Sequence, residues 1–358
     1  ALPICFNILA EIEIDEHCCA TLIANAEFQQ STTQIIQADI RTINPRDMME
    51  EFKLNKSELD LLFAGPPCQS FSLAGKQLGL QDERGLLLFE IIRFAEVLQP
   101  KFILLEQVKG LLSSKGSENQ RGEVFDKFLS ELEAIHYTPK WRIILAADYG
   151  VPQLRERLFV VATQGHNGFL FPERTHAPVE ECKGLFHYEP YVTIEQVLNS
   201  LGKPEPKIPG KPLYERLDSH VDVTPPRDRE RIAQVPEGSY LASQTQLCEK
   251  LRCNLSSKDT TKYLRLHRQR PSNTLRYGEI FYHPTEDRYL TPREYMKIHG
   301  YPDDYILKGP IRARTGRVRN LDQHRQIANS VPPPLANILG IQIMRFLNEQ
   351  NKIGRAHV

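Results

Sequence analysis

None of the cysteines pairs with another at the C-x-x-C spacing that holds zinc; the seven stand at positions 5, 18, 19, 68, 182, 248 and 253. An odd number without such pairs fits free thiols in a reducing compartment. No cluster of cysteine and histidine suggests any other metal, so none is expected. No apolar run approaches the roughly 20 residues that a membrane-crossing helix needs. The opening "ALPICFNILA" is apolar, but it lacks a basic flank and runs directly into "EIEID", so it reads as a strand and not as a secretory signal. There is no internal repeat. Net charge is zero, so composition as a whole does not point to a polyanionic partner. These absences exclude a zinc module, a membrane span and a repeat array, and leave a cytoplasmic globular protein as the expectation.

What is present is enough to build a core. The chain has 358 residues, 41% hydrophobic and 25% charged, which suits one large domain or two. Its charge is unevenly spread. Residues 1–60 carry 4 Lys and Arg against 11 Asp and Glu, a balance of −7, whereas residues 261–329 carry 14 against 7, a balance of +7. The basic end is the candidate for phosphate contact, with ordinary surface segregation as the plainer alternative.

Residues 1–165 alternate between two periods. "FNILAEIEID", "STTQIIQADI", "LDLLFAG", "KFILLEQV" and "RLFVVAT" read as strands, and "EHCCATLIANA", "LLLFEIIRFAEVL" and "GEVFDKFLSELEAI" as helices. Such alternation predicts an α/β fold with a mostly parallel sheet covered on both faces. Ligands of open sheets of this kind bind beyond the carboxyl ends of the strands, and Glu13, Asp15, Asp39, Cys68 and Glu106 all end or follow a predicted strand. From residue 166 the texture changes to short segments broken by proline, such as "GKPEPKIPGKP" and "DVTPPRDRE". The expected division is 1–165, a sheet domain; 166–321, a smaller irregular domain; and 322–350, a segment whose helix packs back on the first. Thr291-Pro292 marks one helix start.

"LLFAGPPCQSFS" places one thiol on the rigid lip of a strand. With "AGPPCQSFSLAGKQLGLQDERG", "LLEQVKGL", "YGVPQLRERLFVVA", "RPSNTL", "LTPREYMKIHGYP" and "QIANSVPPPLA", in this order, the chain resembles the C5-cytosine-specific DNA methyltransferases of the bacterial restriction-modification type. The resemblance runs from Glu13 to the final helix. It implies a doubly wound, Rossmann-like methyltransferase domain, and makes residues 166–265 the variable target-recognition region.

What the resemblance implies for chemistry is specific. Carbon 5 of cytosine is a poor nucleophile until carbon 6 is bonded, and a thiolate can form that bond; the position is that of Cys68. For Cys5, Cys18, Cys19, Cys182, Cys248 and Cys253 the ordinary fate of a small buried apolar residue is expected instead. Glu106 would serve ring nitrogen 3, since burial raises a carboxyl's pKa. The family normally shows Glu-Asn-Val there; this chain has Glu106-Gln107-Val108, an amide one methylene longer. Arg155 and Arg157, one residue apart on a strand, would share a face and hold the base edge, Arg157 toward the carbonyl oxygen. The polar segment "SLAGKQLGLQDERG" would close over an extruded base, with Gln69, Lys76 and Arg84 on the DNA.

The implied cofactor is S-adenosyl-L-methionine, leaving as S-adenosyl-L-homocysteine. Glu13 matches the acid at its ribose hydroxyls and Asp39 the acid at its adenine amino group. Ile14 and Ile40 would pack the purine, and Pro66, Leu87, Asn329 and Val331 complete the implied pocket. The family's opening Phe-x-Gly-x-Gly loop does not precede Glu13, so the chain as written is expected to bind the cofactor weakly. The implied partner is double-stranded DNA with a specific site, met as a monomer, with a cognate restriction endonuclease acting on the same site, in the cytoplasm at the bacterial nucleoid. Two alternatives stand beside this: a DNA-binding remnant with impaired catalysis, and a transfer-RNA cytosine-5 methyltransferase, against which the size of the 166–265 insertion argues.

Overall fold

The computed structural model describes residues 6–67, 86–116, 120–165, 168–184, 187–207, 218–252, 255, 260–276, 278–312 and 320–356. Strand β1 (Ala10–Glu13) leads into helix α1 (Glu16–Phe28), whose first turn is capped by the Asp15 carboxylate accepting from the His17 and Cys18 amides. Strand β2 (Gln34–Gln37) pairs with β1 in parallel, Glu13 opposite Gln37. After helix α2 (Pro45–Glu51) comes β3 (Leu61–Ala64). Helix α3 (Glu90–Leu98), strand β4 (Phe102–Gln107) and helix α4 (Glu123–Ala134) follow.

β4 is buried along its whole length because both of its faces are covered. Ile103 and Leu105 point into one core with Ile91, Ile92 and Ala95 of α3 and Val124, Phe128 and Leu132 of α4. Phe102 and Leu104 point the other way, toward Phe169, Phe171 and the long last helix. A strand with period-two side chains that are apolar at four consecutive positions and buried at all six has to sit between two layers. β3 lies parallel to β4, Leu61 opposite Phe102.

The far half of this sheet departs from the parallel expectation. "YTPKWRIIL" forms a nine-residue strand, β5 (Tyr137–Leu145), that the sequence pattern did not reveal. Lys140 and Arg142 interrupt its apolar run, and they can do so because β5 is the sheet edge, where Trp141, Arg142 and Ile143 face solvent. A short connection through β6 (Gln153–Leu154) returns it to β7 (Glu156–Gln164). So short a return allows only antiparallel pairing; β7 accordingly runs antiparallel to both β5 and β4 in the order β3-β4-β7-β5.

A separate apolar core joins Ile194, Ile232, Leu241, Leu266, Leu290, Tyr295, Met296 and Ile327. Its centre is helix α5 (Pro292–His299), which starts where Thr291-Pro292 predicts. Thr291 and Glu294 form a reciprocal capping box, each side chain bonded to the other's backbone amide at 2.7 and 3.2 Å. The helix stops at Gly300, whose φ of +80° suits glycine and where an added Cβ would meet Pro334 at 2.6 Å. Helix α6 (Gln323–Asn329) gives Ile327 and Ala328 to this smaller core, whereas α7 (Pro333–Ala356) gives Leu335, Leu339 and Ile343 to the sheet. Phe169 and Phe171 also pack on the sheet. Among the described residues no helix is long and apolar enough to cross a membrane.

Helix α1 and its cap meet residues 306–326 along a polar seam. Asn25 of α1 donates to the Ile306 carbonyl at 2.7 Å and accepts from its amide at 2.9 Å. Thr21 accepts from Lys308 N at 2.9 Å and donates to Gln326 Oε1 at 2.7 Å. Asp15 accepts from Leu321 N at 2.7 Å. Substituting Asn25→Ala strips both Ile306 groups of their partner and should lower unfolding stability by about 1–3 kcal/mol. A urea titration measures it, and a change below about 0.5 kcal/mol would show that the amide is dispensable.

Candidate active site

The buried strand β4 ends in two polar residues, and both are shut away from water: Glu106 is 8% exposed and Gln107 0%. Burial is the leading influence on Glu106 and raises its pKa above the ordinary carboxyl range, while the charges of Arg157 and Arg155 pull the other way. The antiparallel register sets Glu106 opposite Phe159, which makes Arg157 its diagonal neighbour on the same face. The Arg157 Nε lies 2.9 Å from Glu106 Oε1, off the hydrogen-bonding direction, so the contact is an ion pair and Oε1 has no hydrogen-bond partner among the described residues. Arg155 is 1% exposed and donates from Nη2 to the Ser330 carbonyl at 3.0 Å. The expected trio of Glu106, Arg155 and Arg157 is thus brought together.

The longer amide of Gln107 makes two bonds. Its Nε2 donates to the Pro66 carbonyl at 3.1 Å, and its Oε1 accepts from Val108 N at 2.8 Å. It therefore ties the end of β4 to the chain leaving β3. Beside it Lys109 pairs with Glu156 at 2.5 Å, joining the segment after β4 to the start of β7. Cys68, Gln69, Lys76 and Arg84 lie outside the described residues, which stop at Pro67, one position before Cys68.

The carboxylates at the ends of β1 and β2 sit in opposite electrostatic settings. Glu13 Oε1 accepts from the amides of Ile14 at 2.7 Å and Asp15 at 2.8 Å, yet burial outweighs these bonds and raises its pKa. Asp39 is held low, first by hydrogen bonds from the Arg41 side chain, 2.6 Å away. Ile14 beside Glu13 is 63% exposed, a large apolar side chain left in solvent. Ile40 is half-buried, and Leu87 opens a short 3-10 turn, Leu87–Phe89, that leads into α3. Asn329 is exposed at the end of α6, and Val331 packs against the sheet core.

One residue of this region escaped the sequence reading. Arg93 of α3 donates to the carbonyls of Ile40 and Ile43, both at 2.8 Å, and from Nε to Glu90 at 2.7 Å. It holds the turn that follows Asp39. The available signal was a single Glu90–Arg93 pair inside the otherwise apolar "LLLFEIIRFAEVL", which is also how a solvated helix face looks.

The family described as C-5 cytosine-specific DNA methylase matches residues 3–345. The chain is 32% identical over 355 residues to the type II methyltransferase M.PspPI of Psychrobacter, covering 95% of this chain and 74% of that protein. It is 30% identical over 353 residues to the type II methyltransferase M.Eco47II of Escherichia coli, again 95% and 74%. Among solved structures, one described as a prophage-encoded DNA modification methyltransferase of E. coli superposes with a TM-score of 0.66 at 21% identity, covering 96% of this chain and 93% of that one. It shares the fold.

The Glu106 environment has a measurable consequence. A carboxyl whose folded pKa is raised contributes its full stability below the unfolded pKa and loses it as pH rises through the folded value. Glu106→Gln should therefore be more stable than the parent at pH 8, with the advantage shrinking as pH falls toward a carboxyl's ordinary range near 4.5. Denaturant titrations across that window test it. An advantage that is absent at pH 8, or that grows on acidification, would mean that the arginines and not burial dominate the site.

Proposed function

The chain belongs to the C-5 cytosine-specific DNA methylases, and from that membership we propose how its residues act as a DNA (cytosine-5-)-methyltransferase. The observation that carries the reading is the buried Glu106, its Oε1 ion-paired with Arg157 at 2.9 Å, at a strand end tied through Gln107 to Pro66, two residues before Cys68. The target cytosine is extruded from the duplex, at a cost of a few kcal/mol in lost stacking and pairing. The Cys68 thiolate then adds to carbon 6, forming a C–S bond and shifting the 5,6 π-electrons toward carbon 5 and ring nitrogen 3. Glu106, biased toward holding its proton, donates at nitrogen 3. Arg157 faces the carbonyl oxygen, and Arg155 keeps that strand end in place. Once carbon 5 carries the methyl group, its proton passes to water, the 5,6 double bond re-forms as the C–S bond breaks and the thiolate leaves, and nitrogen 3 returns its proton to Glu106.

The residues at the ends of β1 and β2 fit S-adenosyl-L-methionine. Glu13 offers an anchored carboxylate to ribose hydroxyls, Asp39 a carboxylate to the adenine amino group, and the exposed Ile14 together with Ile40 an apolar surface to the purine. Pro66, Leu87, Asn329 and Val331 would line the remainder. When bound, this cofactor supplies an electrophilic methyl group and leaves as S-adenosyl-L-homocysteine.

Gln69, Lys76 and Arg84 are assigned to DNA contact in the closing loop, on duplex DNA bearing a specific site. The enzyme would act as a monomer, with a cognate endonuclease on the same site, as the type II names of its relatives suggest. A duplex with 5-fluorocytosine at the target should trap the chain, because fluorine cannot leave as a proton. The denaturation-resistant adduct should map to Cys68 and be lost in Cys68→Ser. An adduct mapped to Cys18 or Cys182 would overturn the assignment, and methyl transfer to transfer RNA in preference to duplex DNA would overturn the substrate.

A further inference from the structure

The Ser330 carbonyl that receives Arg155 receives a second donor. His299, the last residue of α5 and 0% exposed, places Nε2 at 3.1 Å from the same oxygen. Its Nδ1 lies 2.9 Å from Gln153 Nε2. The direction of each bond follows from chemistry. Leu275 N can only donate, and it bonds Gln153 at 3.1 Å, so the oxygen of that amide faces Leu275 and its NH2 faces the histidine. Nδ1 is then the acceptor, and the proton sits on Nε2, donating to Ser330. Gln153 is itself fully buried, on β6, which pairs with Ser272-Asn273. Ser330 is fixed from its other side, since its hydroxyl accepts from Tyr301 OH and donates to the Ile327 carbonyl, both at 2.8 Å.

We propose that His299 is a positioning residue: as a neutral Nε2–H imidazole it fixes the Ser330 carbonyl, and through that carbonyl it sets the place of Arg155 beside Glu106. The inference rests on the reading of Arg155 and Glu106 as the base pocket. An imidazolium would set an N–H against the Gln153 NH2, and turning that amide would face its NH2 toward Leu275 N–H. Burial and the nearby Arg155 charge both hold the ring in its neutral form. His299 ends α5 of the separate core and Arg155 immediately precedes β7 of the sheet, so one oxygen atom transmits the position of one to the other.

A neutral imidazole presents one donor and one acceptor, and so does a glutamine amide; leucine presents neither. In single-turnover methyl transfer to duplex DNA, His299→Leu should be slowed roughly 10- to 100-fold, the scale of a small misplacement of a reacting group. Its DNA affinity should stay within about threefold, and His299→Gln should restore most of the lost rate. A merely structural role would lower the melting temperature of both variants and leave the rate of the folded fraction alone. In 15N-histidine-labelled wild-type chain at pH 7.5, His299 should appear as the neutral Nε2–H tautomer whatever the activity. The proposal is overturned by a His299→Leu rate equal to the parent's, by failure of His299→Gln to recover, or by a charged or Nδ1–H ring. Absence of the 5-fluorocytosine adduct in a wild-type chain that still methylates would instead count against Cys68 alone.

Discussion

A carboxyl group at the end of a strand with no solvent-facing side is the constraint on which this site is built. Moving an ionised carboxylate out of water costs several kcal/mol unless it is paired, and Glu106 is partly compensated by two guanidinium groups that are themselves largely withdrawn from solvent. Each of those needs a partner of its own. Arg157 finds the Glu156 carbonyl at 2.8 Å and Arg155 the Ser330 carbonyl at 3.0 Å. The demand of one buried acid is thus passed from β4 to β7 and on to the turn before α7. The balance still leaves Glu106 with a raised pKa, which favours the protonated form that the proposed donation to ring nitrogen 3 requires.

Of the two acids at the ends of β1 and β2, Asp39 shows the reverse balance of burial and pairing, and Glu13 the same one as Glu106. Asp39 and Arg41 form an ion pair in which the arginine side chain is 51% exposed, a contact that water and salt screen and that contributes little to stability. Displacing Arg41 from Asp39 is therefore cheap for any ligand that brings its own donors. Glu13 has one oxygen committed to two backbone amides and is pushed toward protonation by burial, so a pair of hydroxyl donors would restore the ionised form that burial disfavours.

The parts of this architecture that were legible in the sequence share one property: the residues that specify them are contiguous. β4 announces itself as an unbroken apolar run ending in Glu106, and the capping box of α5 lies within Thr291–Glu294. β5 was invisible because an edge strand tolerates Lys140 and Arg142, which erase the alternation that marks a half-buried strand. Arg93, Gln153 and His299 were illegible for another reason. Their partners are in large part backbone atoms of Ile40, Ile43, Leu275 and Ser330, and a backbone acceptor leaves no trace in the residue type of the segment that supplies it.

The seam between α1 and residues 306–326 extends the same logic. Apolar packing would hold α1 against residues 306–326 with comparable strength, but it tolerates sliding, whereas a bidentate amide such as Asn25 on Ile306 has one register. Asp15 caps α1 and accepts from Leu321 with the same carboxylate. It therefore stands two residues after Glu13 and one hydrogen bond from the start of the segment that leads through α6 to Asn329, Ser330 and Val331. Thr21 and Gln326 add a second fixed distance farther along both elements. With two such points, the end of β1 and the Ser330 turn cannot move independently. Because Ser330 is also where Arg155 and His299 converge, a line of hydrogen bonds and helix runs from Glu13 through Asp15 and α6 to Arg155.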